Sequence, residues 1–93
     1  MAAKRLKMET VALKYEGKRA PRVTAKGTGE VAKKILELAE KHRIPLYQDP
    51  KLVELLSNVD LGDEIPVSLY VAVAEVIAFA YRISGKIPYD GIE

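Results

Sequence analysis

The sequence predicts an α/β fold in a single domain: a small mixed sheet, made of an N-terminal hairpin plus a crossover strand, surrounded by about three helices. Three observations carry this. Strand-forming residues on either side of a glycine-proline turn occupy the first third of the chain. Apolar residues then recur at three- and four-residue spacing in three later blocks, each opened by a Gly, Pro or capping residue. With 93 residues, 48% of them hydrophobic and 30% charged, the chain can form one core.

Thr10-Val11-Ala12-Leu13-Lys14-Tyr15 reads as the first strand and Glu16-Gly17-Lys18-Arg19-Ala20-Pro21 as the turn. In Arg22-Val23-Thr24-Ala25-Lys26, Val23 and Ala25 alternate with polar neighbours, so this second strand has one buried and one wet face. Gly27-Thr28-Gly29 stops it, with Thr28 placed as an N-cap and Glu30 in the first turn of a helix. Val31, Ile35, Leu38 and Ala39 give that helix its apolar stripe, and Pro45 ends it. Ile44-Pro45-Leu46-Tyr47-Gln48 is an apolar run between two helical patterns and is expected to be the crossover strand.

Asp49 at N-cap and Pro50 at N1 start the next helix, whose buried side is Leu52, Leu55, Leu56 and Val59. Asn58 to Glu64 reads as a polar, solvated loop. Pro66 opens the last helix, in which apolar residues cover so much of the circumference that only Glu75 and Arg82 look clearly exposed; it is expected to be mostly buried. Ser84-Gly85 stops it. Residues 1–9 are then a basic leading segment, 10–84 the folded domain and 85–93 a C-terminal tail.

Composition excludes several chemistries. Without cysteine there is no disulfide framework, thiolate zinc site or cysteine nucleophile, and a reducing, cytoplasmic setting is expected. No apolar h-region follows the basic N-terminus, and Val71 to Ala80 is too short to span a bilayer. His42 is the sole histidine, expected in the C-terminal turn of the first helix, where the dipole favours a cation. Ser57, Ser68 and Ser84 lack a Gly-x-Ser-x-Gly context, and Asp60, Asp63 and Glu64 lack the regular spacing of a calcium loop. No metal, no cofactor and no catalytic residue is expected.

Two features invite a functional reading. Residues 1–27 hold eight Lys or Arg against two acids, a balance of +6, whereas residues 28–93 balance at −4. Lys14, Lys18, Arg19, Arg22 and Lys26 would form a basic hairpin surface. The alternative function is therefore a small nucleic-acid- or anion-binding protein, although no aromatic residues interleave with these charges as single-strand binders require. Gly27-x-Gly29-x-x-Ala32, with Asp49 twenty residues beyond Gly29, has the layout of a dinucleotide site, but a second mononucleotide half is lacking and Asp49 has a ready role as N-cap.

The order of the segments carries a further signal. Val11-Ala12-Leu13-Lys14-Tyr15, Ala20-Pro21-Arg22-Val23-Thr24-Ala25-Lys26-Gly27, His42-Arg43-Ile44-Pro45, Gly62-Asp63-Glu64-Ile65-Pro66 and Leu69 to Val76 resemble successive blocks of the cytoplasmic C-terminal domain of FlhB, the flagellar type III export switch protein. The likeness covers about residues 10–84. That family cleaves itself at an Asn-Pro-Thr-His motif ahead of the Val-Ala-Leu strand; here those positions are Arg5-Leu6-Lys7-Met8, so no cleavage is expected. The chain looks like the post-cleavage fragment made separately, as in the stand-alone FlhX-type group, without the membrane-spanning part.

The resemblance implies a non-enzymatic protein-interaction module of the flagellar export apparatus, lying in the cytoplasm or at the inner face of the membrane by the export gate. Its implied partners are export-gate and export-substrate proteins, with peripheral association to membrane-embedded export components, and its implied effect is on substrate-specificity switching. The family's substrate-docking surface carries over by position to Ala20, Pro21, Ala74 and Ile77. Ala20 and Pro21, next to two charged turn residues, are expected to be exposed.

Overall fold

The computed structural model describes residues 8–84. The N-terminal segment through residue 7, including Arg5, Leu6 and Lys7 of the altered cleavage site, and the tail from residue 85 lie outside the described residues. In chain order the elements are β1 (Glu9–Lys14), β2 (Arg22–Thr28), α1 (Gly29–Lys41), α2 (Pro50–Leu56), a 3-10 turn (Val67–Leu69) and α3 (Tyr70–Ser84).

β1 and β2 pair antiparallel from Glu9 opposite Thr28 to Lys14 opposite Arg22. Ala12 faces Ala25 and Leu13 faces Val23, which leaves Thr24 as the extra residue of a bulge; its hydroxyl donates to the Ala12 carbonyl at 3.4 Å. The outer edge of β2 is closed by a segment read from sequence as a solvated loop. Gly62 N donates to Val23 O (2.7 Å), Val23 N to Asp63 O (3.0 Å) and Ile65 N to Pro21 O (2.9 Å), with an antiparallel bridge between Arg22 and Glu64. Gly62, at φ +87°, supplies the turn that brings this segment in.

The expected crossover strand does not form. Among the described residues the sheet has two strands, and the stretch after Arg43 is coil lying against α1 and α3. The reason is local. Pro45 has no N–H to give a ladder, and the one edge of β2 that a returning strand could use is taken by residues 62–65. Tyr47 instead packs its ring edge-on against Phe79 of α3, with centroids 5.1 Å apart. The α/β class and the single domain stand.

α1 ends earlier than Pro45 requires. His42 is the C-cap, Arg43 takes the left-handed conformation at φ 58°, and the Arg43 and Ile44 N–H groups reach back to Glu40 O and Ala39 O at 3.1 and 2.8 Å. This is a Schellman closure with arginine where glycine is usual. α2 starts as its sequence indicates: the Asp49 carboxylate accepts from Leu52 N at 3.1 Å, with Pro50 at the first position.

The main core is Leu52 and Leu56 of α2, Ile65, and Val73 of α3, with Val11 and Leu13 of β1, Ala20, Leu69, Val76 and Ile77 packed around it. Val23 and Ala32 are fully buried and Ala39 nearly so, where α1 lies across the hairpin. α3 departs most from expectation. Only Val73 is fully buried, and Tyr70, Val71, Ala72, Ala74 and Ile83 stand exposed beside Glu75 and Arg82. The core covers Val73, and Val76 to Tyr81 are half-buried, with Phe79 against Tyr47, but a domain this small has no further layer to bury the rest.

Candidate docking surface

The turn and α3 are held together by the closed edge of β2. Pro21 offers its carbonyl to Ile65, and from Ile65 the chain passes through Pro66 and the 3-10 turn straight into α3. Ala20 and Ile77 pack on the same core cluster. Ala74 is exposed one turn before Ile77 on α3, and Tyr70, one turn earlier still, continues the same face at 44% exposure. Val71, at 77%, and Val67, at 73%, widen it. The result is an apolar strip of small and aromatic side chains open to solvent, bordered at Ala20 by a shallow notch of about 220 Å³ among Lys14, Glu16, Arg19 and Arg22.

Three of the four positions carried over by resemblance thus have exposed or half-exposed side chains. Pro21 does not: it is buried where residues 62–65 close the edge of β2, its carbonyl accepting from Ile65 N. Tyr70 and Val71 extend the strip beyond those positions. Their signal in the sequence is helical spacing from Ala74, but spacing alone does not separate a covered stripe from an open one.

Three of the five basic hairpin residues are engaged within the fold. Lys26 Nζ donates to Ser57 O at 3.0 Å and Val59 O at 2.7 Å, at the end of α2. Arg22 donates to Gly62 O at 2.9 Å and pairs with Glu64 at 3.3 Å, and Lys14 pairs with Glu16 at 3.2 Å. Of the five residues, Lys18 and Arg19 alone have no ion pair or hydrogen bond among the described residues. The glycine constellation is likewise built into the fold. A side chain at Gly27 would collide with Val31, Gly29 N donates to Met8 O at 2.9 Å, and Asp49 caps α2.

Residues 9–80, from β1 through most of α3, match the family described as FlhB HrpN YscU SpaS. The chain belongs to that family. Within it, the chain is 47% identical over 76 residues to the flagellar biosynthetic protein FlhB of Yersinia enterocolitica, spanning 78% of this chain and 20% of that protein. It is 40% identical over 81 residues to YlqH of Bacillus subtilis, covering 85% of this chain and 87% of YlqH. It therefore spans about a fifth of the FlhB relative and nearly all of YlqH.

Solved structures of the FlhB family share the fold. The cytoplasmic domain of FlhB from Shewanella putrefaciens superposes with a TM-score of 0.77 at 38% identity, over 83% of this chain and 62% of that one. The C-terminal domain of EscU, as its H265A variant, gives 0.76 at 29% identity, over 81% and 94%. As a member of the FlhB family the chain belongs with proteins of flagellar and type III export. No helix among the described residues is long and apolar enough to cross a membrane.

Proposed function

We propose that this chain is a non-catalytic docking module of a bacterial type III export apparatus of the flagellar kind, which binds export substrates or export-gate proteins and influences the class of substrate exported. Residues 10–84 form the docking unit, flanked by a basic leading segment and the tail. The observation that carries the reading is the open apolar strip of Tyr70, Val71, Ala74 and Ile77 beside Ala20, on a fold shared with the cytoplasmic domain of FlhB. An exposed apolar strip of this kind suits a short segment of a partner held weakly by contact area. Lys18 and Arg19, on the neighbouring turn, would steer acidic partners toward it. Such a module would work on the cytoplasmic side of the membrane, at the export gate, and needs no cofactor.

The test is an amide NMR titration of the ¹⁵N-labelled protein with an N-terminal peptide from a rod- or hook-type export substrate of the same organism. Saturable shifts at Ala20, Tyr70, Ala74 and Ile77, lost in Ala74→Asp, are expected. An unchanged spectrum at millimolar peptide overturns this docking site.

A further inference from the structure

On the opposite side of α3 from the strip lies a second apolar surface. Leu36 of α1, Ile44, Pro45 and Leu46 of the coil after it, and Ile83 of α3 line a groove of about 790 Å³. Ile83 follows Ala74 by nine positions, roughly half a turn round the helix at about 100° per residue. The groove is open: Ile44, Leu46 and Ile83 remain 55%, 51% and 58% exposed. Its rim mixes signs, with Lys33 and Arg43 among Glu37 and Glu40. Nothing among the described residues covers it, yet it is the kind of surface a small domain gains by covering.

The position of the groove indicates its occupant. Ile83, one of its walls, is the last residue but one of α3, so the chain leaves α3 at the groove's own edge. The nine residues that follow, Gly85-Lys86-Ile87-Pro88-Tyr89-Asp90-Gly91-Ile92-Glu93, reach roughly 30 Å when extended. They carry apolar residues at 87–89 and 92 and a charge of each sign on either side of the first group. Lys86 is complementary to Glu37 and Glu40, and Asp90 to Lys33 and Arg43. Glycine at 85 permits the reversal that a return from the helix end needs.

We propose that the C-terminal tail of this chain folds back into the groove between α1, the Ile44–Leu46 coil and the end of α3, with Ile87, Pro88 and Tyr89 against Leu36, Ile44 and Leu46. This contact is independent of the strip on the other side of α3, and its test does not involve export substrates. Because the protein has no cysteine, a single Asp90→Cys substitution places one nitroxide label in the full chain.

Paramagnetic broadening that, beyond the label's own neighbours in sequence and Ile83, is strongest at Leu36, Ile44 and Leu46, unchanged on dilution and absent when unlabelled ¹⁵N protein is mixed with labelled ¹⁴N protein, is the expected result. Adding Tyr89→Ser, a change outside the folded domain, should restore most of the lost intensity. Broadening spread evenly over the surface overturns the proposal. So does broadening that appears only in the mixed sample, which would give the groove to a second copy.

Discussion

The ammonium of Lys26, on β2, closes the C-terminal end of α2 by donating to Val59 O at 2.7 Å, with Ser57 O accepting a second bond at 3.0 Å. The two partners lie 33 residues apart in sequence, so one side chain ties the sheet to the helix packed on it. Helix ends leave carbonyls without partners inside the helix, and here a half-buried cation satisfies the chain just past the last turn. Lys26→Met keeps the aliphatic stem and removes the donor. It should lower stability by about 1–2 kcal/mol, read as a lower urea midpoint at unchanged m-value.

Gly27 has no room for a side chain. A Cβ there would come within 2.8 Å of the Val31 Cβ and closer still to Cγ1, so the first turn of α1 would have to shift. Gly27→Ala is expected to destabilise by about 1–3 kcal/mol. Adding Val31→Ala, at a position already 55% exposed, removes the Cγ1 contact but keeps the Cβ, so it should recover only part of the loss, and a double-mutant cycle measures the coupling.

At Arg43 the expected change is a gain. The left-handed conformation at φ 58° is unfavourable for any residue with a Cβ, by about 1–2 kcal/mol, partly offset by the greater freedom of glycine in the unfolded chain. Arg43→Gly should stabilise the protein by about 0.5–1 kcal/mol in chemical denaturation. Arg43→Ala, which keeps the Cβ and discards the charge, should not.

The chain should remain intact. Its single asparagine, Asn58, precedes Val59, so there is no Asn-Pro bond at which a side-chain amide could attack and release a proline-headed fragment. Intact mass after prolonged incubation should equal the full-length value. A break between Arg5 and Leu6 would contradict this.

Much of the local structure was legible because it is written in near neighbours. Asp49-Pro50 announced a helix start that the Leu52 N–H completes, and the apolar stripe from Val31 placed α1. What period and turn residues could not reveal was which distant surface each strand edge meets. Lys26 looked like a wet-face residue because nothing near it in sequence reports that α2 ends beside it. Residues 62–65, polar and glycine-containing, looked like a loop, yet their backbone closes β2, and that same pairing buries Pro21. Ile44 to Gln48 has the composition of a strand, but Pro45 has no N–H for a ladder and the outer edge of β2 is already taken. α3 is apolar on nearly every side, a pattern that usually means burial; here it means an open face, since the domain has too few elements to surround it. Of the candidate site, Ala20, Ala74 and Ile77 follow only from the resemblance to the FlhB cytoplasmic domain, while Tyr70 and Val71 emerge from their exposure in the fold.

Closing β2 with residues 62–65 also has a consequence in time. The hairpin can assemble as soon as its own residues have been synthesised, but Gly62, Asp63 and Ile65 come about forty residues later. At roughly 5–20 residues per second that interval is about 2–8 s, during which the outer edge of β2 has no partner. Arg22 and Lys26, both on that strand, meet their α2 and bridge partners only at the end of the wait. Until then they are unpaired charges on a bare strand edge, where lysine and arginine discourage pairing with neighbouring chains. The same two cations thus act first as guards for the nascent chain and afterwards as fasteners of the finished one.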